Sequence, residues 1–466
     1  MRCRRPTWLS SRLKTRSSSA DHDTPQLIVR TQTLPADVLT PIGAFLALAT
    51  PGASGLLESV EAGGKLSRYS FIGLDYDGVA TFDATSNLIE RVRAHVEAHR
   101  PAEDPAGLGG ALVMFAYDAA RPFAHLPPRK ADAPAIPAAY VAIPRTWLVF
   151  DHLTHSLTFW ASGESDAEVA ARIDGYLGRL LAQPPQLAKP VRATGDVSAS
   201  MTRDAYLEKA GRVKRHIYDG DVYQLQLGIR FGARFEGEPF DVYRALRRRN
   251  PSPYMFYVDT PYGQLLGASP EFLVRLEGRK ARIRPLAGTR SRGTTEEEDV
   301  TIAQELLANE KERAEHVMLV DLGRNDLGMV CDYGSVVVDE LLQIERYSHV
   351  MHIVSDLIGR LRDDCDGLDL FKAGFPAGTV TGTPKVRAMQ LIDELEPVTR
   401  GFYAGSIGRW NFNGDFDSCI TLRSLHVQNG RAYWQASAGI VADSDPVAEY
   451  EEVLHKTRIA REVLGL

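Results

Sequence analysis

Two stretches far apart in the chain, GluLysGluArgAlaGluHis (310–316) and AspProValAlaGluTyrGluGluValLeuHisLys (445–456), each read as helix and each set two glutamates three residues apart. Side chains three or four apart share a helix face. Glu312 with Glu315, and Glu449 with Glu452, therefore each point one way, and Lys456 lies a turn beyond Glu452 on the same face. Carboxylates from two elements suit Mg²⁺, which takes one or two of them and completes its shell with water and substrate. A cation behind the second pair suits an anion held beside a metal. Spacing alone leaves either pair readable as a solvated helix face.

The rest of the chain alternates strand and helix from about residue 25. Strand patterns fall at 67–73, 111–117, 147–151, 223–231, 254–258, 264–268, 272–276, 280–284, 334–338, 418–427 and 431–436. Helices are expected at 165–182, 202–219, 240–248, 298–318, 386–394 and 447–464. The proline-bearing run 183–190 and the small, polar residues after it to Ser200 predict a linker or long surface loop. That divides the chain into a tail (1–24), an N-terminal region (25–190) and a motif-dense region (200–466). No fixed-period repeat or long low-complexity segment is present.

The sequence has 466 residues, 44% of them hydrophobic, which suits a globular chain with a sizeable core. A net charge of −6 gives no pointer to nucleic acid or an anionic membrane. No apolar run approaches the roughly 20 residues that span a bilayer. Cys3, Cys331, Cys365 and Cys419 are too dispersed for a CxxC zinc site and read as free thiols of a reducing, cytoplasmic compartment. The tail is basic and serine-rich, a composition shared by transit peptides, disordered tails and mis-assigned starts.

Five further segments carry chemistry when taken together. GlyAspValTyrGln (220–224) opens a strand on a neutral amide, Gln224. AlaSerProGlu (268–271) puts Glu271 at a turn before an apolar strand. ArgProLeuAlaGlyThrArg (284–290) ends a strand at Gly288-Thr289. PheProAlaGlyThrValThrGlyThrProLys (375–385), with Thr379, feeds a helix near Val386, whose entrance offers N–H donors and a positive dipole end to an anion. AlaSerAlaGlyIleVal (436–441) leaves Gly439 for close backbone approach. Without family knowledge these suggest a Mg²⁺-assisted enzyme for a small anion, with Arg423 and Lys456 as counter-charges.

Jointly, these segments resemble the chorismate-utilising enzymes, and within them the component I (large subunit) anthranilate synthases. The likeness runs from about residue 55 to the end and is sharpest at 310–328 and at GluArgTyrSerHisValMetHis (345–352). It implies an α/β (α+β) sandwich, with large antiparallel sheets face to face and helices outside, folded as one composite unit. It also implies roles. Glu315 and Glu452 would bind Mg²⁺, with Glu312 and Glu449 holding waters or the ligands. Tyr403, Arg423 and the backbone at Gly439 would hold the enolpyruvyl carboxylate of chorismate, with Lys456 and Thr289 nearby. Glu271 would be the general acid for the 4-hydroxyl, beside Thr379, and His352 would assist pyruvate loss.

Within that resemblance two positions separate the members. Relatives that add water to chorismate place a lysine base where Gln224 stands, and C4-aminating relatives often carry a nucleophilic lysine where Ala287 stands. Gln224 and Ala287 favour C2 amination and pyruvate loss, giving anthranilate. The alternatives are an aminodeoxychorismate synthase, an isochorismate or salicylate synthase, and a silent tryptophan-binding regulatory subunit. LeuLeuGluSer (56–59) and AsnProSerProTyrMet (250–255) look like the tryptophan feedback site, assigning it Glu58, Ser59, Asn250, Pro251, Tyr254 and Met255, with Cys419 near its wall. With no room for a glutamine amidotransferase domain, a small glutaminase subunit would supply ammonia, and an assembly with it or with a second copy is expected. Departures are ThrGlyThrProLys (381–385) for SerGlyAlaProLys, Arg409-Trp410 for an aromatic pair, and SerAlaGly (437–439) for GlyAlaGly.

Overall fold

Strands from both ends of the sequence share one sheet. Ser54–Glu58 pairs with Tyr69–Phe82 on one side and Tyr254–Thr260 on the other, and Gly110–Phe115 pairs with Ser406–Asn411. The structure, a computed structural model, describes residues 27–60, 68–127, 134–182, 184, 186–347 and 350–466. Among these, twenty strands join in one connected antiparallel ladder with helices packed on it, as the expected α/β class requires. Buried apolar side chains form two large clusters. One gathers around Phe115, Phe371, Trp410 and Phe416, the other around Leu225, Tyr243, Leu395 and Trp434. Gly110–Phe115 is buried at every position, so its sequence is an unbroken apolar run and not an alternating one.

Most expected elements occur with ends moved by a few residues, and the helices Asp166–Ala182, Arg203–Tyr218, Pro239–Arg249, Lys385–Leu395 and Pro446–Val463 are among them. Four readings are corrected. The helix expected at 298–318 is two, Glu296–Ala308 and Glu310–Gly328. Asn309 separates them: its extended backbone stops the first, and its side chain accepts the Glu312 N–H at 3.0 Å to cap the second. The strand expected at 418–427 is also two, Phe416–Ile420 and Ser424–Gln428. Arg423 breaks it with φ of +46°, a left-handed conformation that costs a non-glycine residue on the order of 1–3 kcal/mol. Its carbonyl still accepts from the Ala268 N–H at 3.2 Å.

The third correction is the linker. Arg192–Ala199 is a strand, paired antiparallel with Gln224–Glu236. It lacks an apolar alternation because its side chains are mostly exposed, and Gly195 at φ of +76° sits where its register breaks. Fourth, the strand expected at 334–338 runs instead over Val337–Arg346. The basic tail and Cys3 lie outside the described residues. Among the described residues no helix is long and apolar enough to cross a membrane.

Candidate active site

Side chains project alternately from a strand, so residues two apart face one way. Gln224 and Gln226, at the start of Gln224–Glu236, therefore share a face. The neighbouring strand, Arg431–Ile440, places Gly439 opposite Gln226. A Cβ at Gly439 would lie 2.8 Å from the amide nitrogens of both glutamines, so only glycine lets them stand there. Ser437, two residues back, donates to Gln226 Oε1 at 3.0 Å and meets the Tyr403 hydroxyl at 2.8 Å. Its carbonyl accepts from Lys456 Nζ at 3.0 Å.

The two glutamate pairs approach this sheet from separate helices. Asp445 caps Pro446–Val463, accepting from the N–H groups of Val447 and Ala448. One turn in, Glu449 accepts from Ser444 Oγ at 2.7 Å, and Glu452 lies 3.5 Å from Lys456. On Glu310–Gly328, Glu312 pairs with Arg290 at 3.0 Å and Glu315 accepts from Gln224 Nε2 at 2.6 Å. Burial raises the Glu315 pKa, the Gln224 hydrogen bond opposes that, and the charge of Glu312 adds to it. The Gln224 Oε1 is left buried with no hydrogen-bond partner.

Two titratable groups form the floor. Leu286–Ser291 pairs with Val350–Arg360 so that Thr289 faces His352. His352 Nδ1 lies 3.0 Å from Thr289 Oγ1 and 3.1 Å from the Gly288 carbonyl, while Nε2 is buried and unpartnered. Gly288 makes this turn at φ of +66°. Burial, helped by the positive charge of Arg423, pulls the His352 pKa down to about 4, so the ring is neutral near pH 7. Burial pushes the Glu271 carboxyl up to about 8, against hydrogen bonds from Thr379 and the Leu286 backbone. Thr379 Oγ1 lies 3.2 Å from both Glu271 oxygens.

Apart from the capping residues Ser444 and Asp445, these groups border one cavity of about 410 Å³. It brings together Gln224, Glu271, Thr289, Glu312, Glu315, His352, Thr379, Tyr403, Arg423, Gly439, Glu449, Glu452 and Lys456, every catalytic, substrate and metal position expected from sequence. Glu452 and Lys456 side chains keep 45% and 41% of their exposure and sit at the mouth. Glu271 and His352 keep 6% and 2% and sit at the floor. Arg423 makes no side-chain hydrogen bond or ion pair among the described residues, and burial holds its pKa below the ordinary arginine value. Gln226 and Arg290 also line the cavity without a role expected from sequence, and Ser437 lines it as part of the SerAlaGly departure. The two-residue strand period pointed to Gln226 once Gln224 was chosen; Arg290 is brought in only by tertiary pairing.

The glutamates do not form a closed cage. Among the described residues, no three Asp, Glu, His or Cys side chains gather closely enough to hold an ion. Each of the four is engaged by a protein partner, and each helix brings two of them to the cavity. Such a set fits a hard cation that draws most of its ligands from water and substrate. The helix entrance expected to receive an anion lies elsewhere. Lys385, its first residue, is turned into an ion pair with Asp326 at 2.9 Å, and the short helix Gly378–Thr381 brings Thr379 to the cavity instead.

A second cavity, of about 370 Å³, lies where Ser54–Glu58 meets Tyr254–Thr260 and Phe416–Ile420. Glu58, Ser59, Tyr254, Met255 and Cys419 line it. Asn250 and Pro251 do not: Asn250 ends the helix Pro239–Arg249 and turns its amide to Ser252 Oγ at 3.4 Å. Glu58 accepts from Tyr243 at 2.6 Å and from two nitrogens of Arg247 at 3.0 Å. Asp417 accepts from Tyr254 at 2.8 Å and pairs with Arg275 at 3.0 Å. Arg409 lies 4.0 Å from the Phe71 ring centroid and 4.3 Å from that of Trp147.

The chorismate binding enzyme family matches residues 59–462. Anthranilate synthase component 1 of Thermus thermophilus is 44% identical, over 92% of this chain and 96% of the relative. Aminodeoxychorismate synthase component 1 of Bacillus subtilis is 41% identical, over 88% and 91%. Among solved structures, anthranilate synthase component I from Streptococcus pneumoniae superposes with a TM-score of 0.78 at 31% identity, covering 92% of this chain and 99% of that one. The family match covers the whole lining of the first cavity and all but Leu57 and Glu58 of the second, and the chain belongs to the chorismate-binding enzymes.

Proposed function

We propose that the chain converts chorismate and ammonia to anthranilate and pyruvate. The observation that carries this reading is the pairing of a neutral amide, Gln224, with Ala287 in one cavity whose floor holds a carboxyl that burial keeps protonated. Water would need a base to become a nucleophile, and Gln224 is none; ammonia needs none. The free Oε1 of Gln224 can accept a hydrogen bond from ammonia, because its Nε2 is already committed to Glu315.

The residues divide the work. Glu271, protonated near neutrality, donates to the departing 4-hydroxyl, which leaves as water while ammonia bonds at C2. His352 then acts in pyruvate loss: with Nδ1–H directed at the Gly288 carbonyl, the unpartnered Nε2 is the basic nitrogen. Arg423, desolvated and unpaired, suits a substrate carboxylate held bidentately. Tyr403, the backbone at Gly439, Thr289 and Lys456 complete the cradle. Glu315 and Glu452 would hold Mg²⁺, with Glu312 and Glu449 placing its waters. When bound, the ion would offset the negative charge of the substrate's ring carboxylate.

A glutaminase subunit is the proposed ammonia source, and L-tryptophan the proposed ligand of the second cavity. One observation favours another reading: the 41% identity to the Bacillus subtilis aminodeoxychorismate synthase component 1. Chorismate, Mg²⁺ and ammonium at alkaline pH should yield anthranilate and pyruvate in equal amounts with the purified chain. Accumulation of 4-amino-4-deoxychorismate would decide for that second reading, and isochorismate would overturn both.

A further inference from the structure

Glu271 stands between two spaces. In front is the large cavity, and behind it is a narrow one of about 30 Å³. Glu271, Thr379 and Leu319 line both. A water needs on the order of 10–15 Å³ measured this way, together with two to four polar partners. The rear space has room for about two waters on that scale, and its walls supply the partners. They are the Glu271 carboxyl, the Thr379 hydroxyl, the Asp326 carboxyl and Arg284, whose Nε is buried without a hydrogen-bond partner. Asp326 is held by Lys385 at 2.9 Å, and the chain beside it, Arg324 and Asn325, is exposed. The rear space thus runs from the buried Glu271 to Asp326, buried on the inner face of the helix Glu310–Gly328, without crossing the front cavity.

We propose that this rear cavity is the path by which Glu271 regains its proton. The inference rests on reading Glu271 as the acid that protonates the leaving hydroxyl. In that step the Glu271 O–H bond breaks and its proton leaves the site in a water molecule. The carboxylate then takes a proton from a water in the rear cavity, forming a new O–H bond. That water is restored by a proton passed along from solvent on the Asp326 side. Nothing is oxidised or reduced. With substrate or product filling the front cavity, reloading does not wait for it to empty.

Filling the rear cavity tests this. Ala377→Leu and Leu322→Phe add volume to its walls without touching the front cavity. Expected is a fall in kcat of about tenfold, at the low side of what proton transfer contributes. KM for chorismate should stay within about twofold, and the solvent deuterium isotope effect on kcat should rise, because proton delivery becomes slow. The wild-type enzyme gives a readout that needs no variant: kcat in mixtures of light and heavy water should follow a curve requiring more than one proton in flight. Filled variants that fold and keep wild-type kcat overturn the route, as does an effect confined to KM, or a wild-type kcat indifferent to heavy water. Glu271→Gln separates the two ideas. If it is inactive while the filled variants are normal, only the route falls; if it is as fast as wild type, the acid assignment falls and the route with it.

Discussion

The two cavities are close in size, about 410 and 370 Å³, and both are bordered by several charged side chains. They differ in what those charges are left free to do. In the second cavity Glu58 is bound by Arg247 and Tyr243, Asp417 by Arg275 and Tyr254, and Arg68 by Asp151 at 2.7 Å. Those three are paired within the protein, while Arg409 is held by the Leu108 carbonyl and the rings of Phe71 and Trp147 with its Nε left without a hydrogen-bond partner. In the first cavity Arg423 has no ion-pair partner among the described residues, Gln224 and His352 each keep a buried polar atom unpaired, and Glu271 is protonated by burial. Unpaired buried groups cost roughly 1–3 kcal/mol each. A site keeps them where a ligand or a reaction will satisfy them. In the proposed reading, the first cavity acts on an anion and the second holds a ligand without altering it.

The sharpest way to break that contrast is to remove the acid. Glu271→Gln keeps the shape but cannot donate a carboxyl proton, so kcat should fall about 1,000-fold, within the usual span for general acid catalysis. Tryptophan binding to the second cavity, followed by calorimetry, should be unchanged. The pH dependence follows from the raised pKa. Protonated Glu271 is the active form, so at constant free ammonia kcat should hold at low pH and decline as pH rises through about 8. A rate that climbs through that range would contradict the assignment.

Next in size is the metal. Glu315→Gln and Glu452→Gln each remove one charge from the cavity wall, one on each helix. Either should cost about 100-fold in turnover at limiting Mg²⁺, with circular dichroism unchanged. The two need not respond alike. Glu452 is half exposed at the mouth, whereas Glu315 is bonded to Gln224, and its replacement also weakens that hydrogen bond by removing the charge that accepts it. Partial recovery at high Mg²⁺ is therefore expected for Glu452→Gln and not for Glu315→Gln. Near-normal rates for either variant would remove that residue from the metal site.

How much of this could be read from the sequence follows from the range of the forces involved. The helix-borne glutamates were legible because a helix face is local: Glu312 with Glu315, and Glu449 with Glu452, are placed by spacing alone. Where two residues meet through tertiary pairing, as Gln224 with Glu315 or Thr289 with His352, motifs named the residues and only the fold gave the contacts. Local reading failed where a single residue resets the backbone. Asn309 splits a helix by capping it, a place asparagine favours but does not require, and Arg423 splits a strand by turning left-handed, for which arginine gives no signal. It failed also at Asn250 and Pro251, adjacent in sequence to a cavity wall but turned away from it by a helix end.

The smallest expected effect, and the one aimed most directly at the contrast, is in the second cavity. Ser59 follows Glu58, the residue whose carboxylate is anchored by Arg247 and Tyr243, and both border the space. A small hydroxyl at that point admits the polar end of an amino acid, and a branched side chain would fill the room it needs. Ser59→Leu should therefore raise the inhibitory tryptophan concentration about tenfold, a loss near 1.4 kcal/mol of binding. Turnover without tryptophan should stay roughly intact, because Ser59 does not border the first cavity. An inhibitor acts only by preferring the inactive arrangement, and the preference is reciprocal, so saturating chorismate must weaken tryptophan by the factor that tryptophan weakens chorismate. Equilibrium binding of each ligand with and without the other measures both factors. Unequal factors would mean a second tryptophan site, and a wild-type enzyme indifferent to millimolar tryptophan would leave the second cavity to another ligand and shift weight to the aminodeoxychorismate reading.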